Sequence, residues 1–267
     1  MADSSLFLPS SSVVLSTQRL SPLNTQSQVL LRLMKEERAE VPSPTPARVW
    51  GDQWLRVNEK VLKGLNHQLT NRLAGLEAVT HLFGPGEATD PQLVQTLAHE
   101  VERVGTLLRL YRLLPAEPTA LPEAVRVQDI IPGVLELHTY HADLRGVACL
   151  LGDTSDADPV CVRPSALLRS LLVLLESAAG HASRTGSGRP IVLAYSGTPT
   201  LVTITIESPS PNADELFAGS GSLIDAVRSA LAHAGGAIEA ARDCRAGLPA
   251  IVYRLTLPTL SETRRRG

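Results

Sequence analysis

The chain has 267 residues, and its 25 Lys and Arg against 27 Asp and Glu leave a formal net charge of −2 and a pI near 6.4. A chain so balanced has no global field with which to hold phosphate backbones or anionic lipid, which disfavours nucleic acid and membrane surfaces as main partners. With 43% hydrophobic but only 3% aromatic residues, a sizeable core has to be built from Leu, Val, Ile and Ala.

Residues 1–28 are rich in Ser, Thr and Gln without a sustained apolar period and read as mostly disordered. A short helix fits Gln28 to Glu40. Pro42, Pro44 and Pro46 then make Val41 to Ala47 a linker, because each removes a backbone donor. Residues 1–47 are accordingly set apart as an N-terminal segment.

From about Trp50, Leu62, Leu65, Leu69, Leu73, Leu76, Thr80 and Phe83 recur at three- and four-residue steps, which predicts a long amphipathic helix ending at Gly84-Pro85-Gly86. A second stripe of Leu93, Leu97, Val101, Val104, Leu108 and Tyr111 follows an N-cap at Asp90 with Pro91 at the first helical position. Residues 48–114 thus read as an antiparallel helical hairpin, and a two-fold dimer forming a four-helix bundle is the simplest way to bury both stripes.

Beyond the proline-rich stretch before Val125 the period changes, and residues 122–258 mix strands with helices. Strands are expected at Val125 to Val127, Val147 to Leu151, Pro159 to Val162, Ile191 to Tyr195, Leu201 to Glu207, Ala237 to Ala241 and Ala250 to Leu257. Helices are expected from about Asp129 to Asp143, Pro164 to Ala182 and Ser222 to Ala234. The fold class is α+β: a helical hairpin followed by an α/β sandwich with one helical face. Residues 259–267, with Arg264, Arg265 and Arg266, read as a flexible, solvated tail.

No uninterrupted apolar run approaches the roughly 20 residues of a membrane span, and the first residues lack a secretory signal pattern, so a cytoplasmic location is expected. Cys149, Cys161 and Cys244 form no CxxC pair and read as buried free thiols. His138 and His141 stand three apart with no third ligand spaced to help, which favours surface histidines over a metal site.

Four strings carry a family resemblance. Asn66-His67-Gln68-Leu69-Thr70-Asn71-Arg72-Leu73 on the first helix resembles the phosphoacceptor box of sensor histidine kinases. Val173-Leu174-Leu175-Glu176-Ser177-Ala178 resembles the family's N-L-L-x-N-A box with Val173 and Ser177 in place of both asparagines. Glu207-Ser208-Pro209-Ser210-Pro211 stands where the family has D-x-G-x-G, and Gly219-Ser220-Gly221 where its glycine-rich loop enters a helix. The resemblance spans residues 48 to 258 and implies a dimerisation and phosphoacceptor hairpin followed by a domain of the histidine-kinase ATPase type.

What the resemblance implies divides at the nucleotide. By helical geometry His67 points some 200° away from both Leu65 and Leu69, with Asn71 one turn further along the same outward face. Gly64, Ala74, Gly75 and Ala78 leave room there for another protein to approach the imidazole. Gln68 replaces the family's acidic residue, and an amide cannot take the imidazole proton. Val173 cannot ligate Mg²⁺. Pro209 and Pro211 remove the backbone freedom that glycine supplied. Glu176 and Ser177 offer only one carboxylate and one hydroxyl, Glu207 keeps a charge on a longer stem, and Gly219 and Gly221 lack the second glycine pair. The expectation is a histidine phosphotransfer protein with a degenerate nucleotide site, binding neither ATP nor metal, homodimeric, with response-regulator receiver domains as partners. His67 is its phosphoryl carrier and Asn71 its helper. The alternatives are a divergent ATP-dependent kinase using Glu176, Ser177 and Glu207, and a scaffold that docks a receiver without chemistry.

Overall fold

A computed structural model describes residues 45–82, 90–114, 121–144, 146–185, 188–209, 221–245 and 248–266, all within the compact unit Pro44–Gly267. The readings of residues 1–44, of the Gly84-Pro85-Gly86 stop, and of Pro211 and Gly219 fall outside these, as does the side chain of Cys244.

Helix α1 runs Pro46–Thr80, 35 residues, or about 52 Å at 1.5 Å per residue. It begins four residues before the expected Trp50. Thr45 caps it by accepting from the Arg48 N–H at 3.4 Å, and Pro46 sits at the first turn, where a missing donor is harmless. The linker reading thus stopped too late: proline excludes a helix interior but suits its start. Helix α2 runs Pro91–Leu113, and the Asp90 cap accepts from the Gln92 N–H at 2.9 Å as expected.

Two contacts fix the hairpin's sense. Tyr111 donates its hydroxyl to Asn66 Oδ1, and Arg72 Nη1 lies 3.3 Å from Glu100 Oε1. Rising numbers in α1 meet falling numbers in α2, so the pair is antiparallel. The buried residues of α2 are Leu107 and Leu110. Val101 and Leu108, expected in the core stripe, are 56% and 48% exposed, and Leu73 of α1 is 51% exposed. They lie on the hairpin's outer side because one partner helix can cover only one stripe.

The α/β part comprises β1 (Glu123–Val125), α3 (Val127–Thr139), β2 (Cys149–Thr154), β3 (Val160–Val162), α4 (Pro164–Thr185), β4 (Ile191–Gly197), β5 (Leu201–Pro209), α5 (Gly221–Ala230), a 3₁₀ turn at Ala232–Ala234, β6 (Ala237–Arg245) and β7 (Leu248–Pro258). Five strands form a mixed sheet in the order β2-β4-β5-β7-β6, parallel only between β2 and β4, and β1 pairs with β3 separately. Val202, Ile204, Ile206 and Ser208 alternate inward along β5, toward the helices. The first strand ends at Val125 because Val127 already opens α3. The expected tail is instead a helix, α6 (Leu260–Arg266), tied down by Thr259, whose hydroxyl donates to the Pro199 carbonyl at 2.9 Å, and by Glu262 pairing with Arg266 at 2.9 Å.

The first half of α1 packs on this part through Trp54, Val57, Val61 and Leu65. At Gly64 the approach is so close that a Cβ would lie 1.7 Å from the Tyr140 carbonyl oxygen. The Ala142 N–H donates to the Lys60 carbonyl at 3.2 Å, and Lys60 Nζ pairs with Asp143 at 2.6 Å. Helix α4 is buried at every residue from Ser165 to Leu175, the condition of a helix covered on both faces.

His138 and His141 are not surface residues: they are 4% and 3% exposed. Neither nitrogen of His141 nor Nε2 of His138 has a hydrogen-bond partner among the described residues. Burial pushes His138 down to about 4, helped by the charge of His141. Burial likewise pushes His141 down to about 4, opposed by Asp143 and reinforced by Lys60 and Arg56. Cys149 and Cys161 are free and half-buried, and burial pushes the Cys149 thiol up to about 12, which leaves it unreactive. No described helix is long and apolar enough to cross a membrane.

The two histidines set a pH dependence. Unfolded, each takes a proton near pH 6.5; folded, each resists until about 4. The stability they contribute is complete above the unfolded value and is lost as pH falls from 6.5 through 4. Urea midpoints at about pH 7 and about pH 4.5 should show a marked drop that a His138→Asn, His141→Asn double variant largely lacks. Equal drops in the two proteins would rule out neutral burial of this pair.

Candidate functional site

His67 lies on the exposed side of α1, with Asn71 one turn further on and also exposed. Asn71 Nδ2 is 3.3 Å from His67 Nε2. With the amide nitrogen placed as donor, Nε2 carries the lone pair and the ring proton sits on Nδ1. An exposed imidazole whose Nε2 carries its lone pair is a nucleophile, and the amide beside it is a ready donor to any oxygen brought to that nitrogen.

Of the four small residues expected beside His67, only Ala74 and Ala78 are exposed. Gly64 is buried under Tyr140, and Gly75 is half-buried toward Glu100 of α2. The smallness of Gly64 serves packing within the chain, whereas a Cβ at Gly75 would meet nothing nearer than Glu100 at 4.0 Å. Gln68 is also turned inward. It lines a cavity of about 200 Å³ with Arg72, Arg103, Thr106, Leu107 and Tyr140, where α1, α2 and the turn after α3 meet.

The strings on α4 come to lie under α1. Arg169, Val173 and Glu176 share one helix face by their spacing. Glu176 accepts from Arg56 Nε at 3.1 Å and from Arg56 Nη2 at 3.0 Å, a bidentate pair. Two turns earlier, the Arg169 guanidinium stands 4.8 Å from the centre of the Trp54 ring. Val173, between them, is fully buried. The face that carries the first position of the N-L-L-x-N-A box is therefore packed against α1.

The remaining box residues are turned elsewhere. Ser177 Oγ is 3.0 Å from the Tyr253 hydroxyl and 3.5 Å from His181 Nε2. Tyr253, on β7, is buried, and that burial raises its phenol pKa. Glu207 occupies an outward position of β5, on the sheet face away from the helices, while Ser208 points inward and donates to the Ala178 carbonyl at 2.9 Å. Pro209 pairs with Ala250 as the last residue of the strand, and Gly221 opens α5 in an exposed position. Among the described residues no group of three or more His, Cys, Asp and Glu is placed to hold a metal ion.

Among these described positions, Val173 is buried against α1, Ser177 is part-buried beside Tyr253, Glu176 is paired with Arg56, and Glu207 stands on the sheet face away from the helices. Arg56, Trp54, Tyr253 and Ser208 were not singled out from the sequence. Trp54, Val57, Val61 and Leu65 do form a legible apolar stripe, but nothing in the sequence names its partner.

No family model and no curated protein matches the chain. Among solved structures it is similar to the Acinetobacter baumannii histidine kinase AdeS, at 19% identity and a TM-score of 0.40, over 74% of this chain and 97% of that one. It is also similar to the histidine kinase ThkA in complex with the response regulator protein TrrA, at 15% identity and a TM-score of 0.43, over 91% of this chain and 70% of that one. The catalytic domain of ThkA matches at 15% identity and a TM-score of 0.41, over 52% of this chain and 98% of that one.

Calorimetry with Mg-ATP is expected to give no saturable heat at millimolar nucleotide. A micromolar dissociation constant would defeat this expectation and favour the active-kinase alternative.

Proposed function

We propose that the protein is a dimeric histidine phosphotransfer protein of a two-component relay, with His67 carrying the phosphoryl group between receiver-domain aspartates. The observation that carries the reading is the pairing of an exposed His67 Nε2 with Asn71 Nδ2 at 3.3 Å, on a helix whose other half covers α4. A carrier needs an accessible nucleophile and no nucleotide of its own.

The step is an in-line exchange. The P–O bond to the receiver's aspartate breaks, the P–N bond to Nε2 forms, and the carboxylate leaves with its electron pair. Asn71 exchanges its contact with Nε2 for one to a phosphoryl oxygen, offsetting charge as the group passes. The Nδ1 proton is lost to solvent, since Gln68 is turned inward and has no basic group to take it. The reverse sequence delivers the group to a second receiver. The acid pocket and Mg²⁺ belong to the receiver.

The dimer rests on a second observation. Val94, Val101 and Leu108, 47%, 56% and 48% exposed, repeat every seven residues on α2, with exposed Ala98 and Gly105 between them. A seven-residue apolar seam with small residues interleaved suits a second copy of the same hairpin. A Val101→Glu, Leu108→Glu variant should be monomeric by light scattering. A wild-type monomer at micromolar concentration would remove the bundle from the proposal.

The chemistry is tested by incubation with a panel of phosphorylated receivers, followed by mass spectrometry under neutral conditions. Acid-labile, alkali-stable phosphate is expected on His67. His67→Gln should abolish labelling while changing stability by less than about 0.5 kcal/mol, because the side chain is exposed. Asn71→Ala should slow transfer without preventing docking. Labelling of His67→Gln equal to wild type, or none of either protein, would favour the scaffold alternative.

A further inference from the structure

The relay proposal leaves most of the α/β part without a task, and the contacts between α1 and that part suggest one. Four independent features meet on one side of α1 between Trp54 and Gly64. They are the Trp54–Arg169 stack, the bidentate Arg56–Glu176 pair, the Lys60 carbonyl accepting from Ala142, and the contact of Gly64 with the Tyr140 carbonyl. They join α1 both to α4 and to the turn after α3. They also stop within one turn of His67.

We propose that the α/β domain is a fixed brace for the phosphoacceptor helix, and that Arg56–Glu176 is the side-chain latch that, together with the backbone contacts at Lys60 and Gly64, holds the rotation of α1 against it. Two parts of the interface divide the work. Trp54, Val57, Val61 and Leu65, each buried, supply non-directional burial that tolerates a helix rolling in place. A two-bond fork between a guanidinium and a carboxylate has one geometry, so it fixes which face of α1 meets α4. Because α1 is an unbroken helix from Pro46 to Thr80, the same rotation fixes the direction in which His67 leaves the surface. Glu176, at a position the family resemblance associates with nucleotide, here holds protein to protein.

The consequence for His67 rests on the phosphotransfer reading; the latch does not. Backbone hydrogen exchange of the full chain, followed by mass spectrometry, tests it without any phosphate. In the wild type, residues 54–65 should exchange about as slowly as residues 165–175 of α4. Glu176→Arg, which sets a second positive charge against Arg56, should speed residues 54–65 by about tenfold or more while leaving α4 protected. The swapped pair Arg56→Glu, Glu176→Arg should return them to within about threefold of wild type. Should Glu176→Arg fail to fold, Glu176→Gln, which keeps size and one acceptor, should give a smaller increase confined to the same residues.

Fast exchange of residues 54–65 in the wild type would overturn the brace. A swapped pair no slower than the single variant would overturn the latch. If exchange behaves as expected but His67 takes no phosphate from any receiver, the brace stands and the relay falls.

Discussion

One backbone approach decides much of the rest: Gly64 of α1 lies against the backbone of Tyr140, with no room for a side chain between them. A contact of that kind couples two parts of a chain more tightly than apolar burial alone, because it is made by backbone and cannot be repacked. It places the Lys60 carbonyl within reach of the Ala142 N–H and brings Arg56 over Glu176. The hairpin and the α/β part therefore share one core, in which Leu65 of α1 belongs with Ile131 of α3 and Leu171 of α4.

That shared core accounts for the character of α4. A helix lying between a sheet and solvent keeps a polar outer face, but α4 is buried from Ser165 to Leu175 because α1 covers the side away from the sheet. Arg169 can be buried there because its guanidinium lies over the Trp54 ring. Val173 needs no polar substitute, since it meets protein. The same arrangement leaves the other half of α1 free. Beyond Leu65 the helix contacts α2 on one side and presents His67 and Asn71 on another, so support and exposure are divided along a single element.

Some departures from expectation have a tertiary reason and others a local one. His138 and His141 were read as surface residues because neither has a ligand partner in sequence, yet the close of α3 against α1 buries both. Val101 and Leu108 fit the helical period of α2 but lie on the side that its partner helix does not reach. Glu207 has the charge that a base-recognising acid would need, and the two-residue period of β5 turns it to the opposite face of the sheet. The α6 segment has a run of three arginines that looks like a solvated end; what makes it helical is Glu262 within one turn of them and the buried Thr259 before it.

Local physics was enough to read the order of elements from α1 to β7 in the described residues, because apolar periods of 3.6 and 2 and the Asp90 cap with Pro91 after it are properties of neighbours in the chain. It was also enough to put His67 and Asn71 on one outward face, since four residues make about one helical turn. What no local pattern contains is which surface lies against which. That Arg56 meets Glu176 across 120 residues, that Gly64 is small for the sake of Tyr140 rather than of a visitor to His67, and that Ser177 turns to Tyr253 were decided by the packing of α1 onto a domain folded far downstream. Long-range packing selects among partners that are chemically equivalent in sequence, so only the tertiary structure identifies the ones that meet.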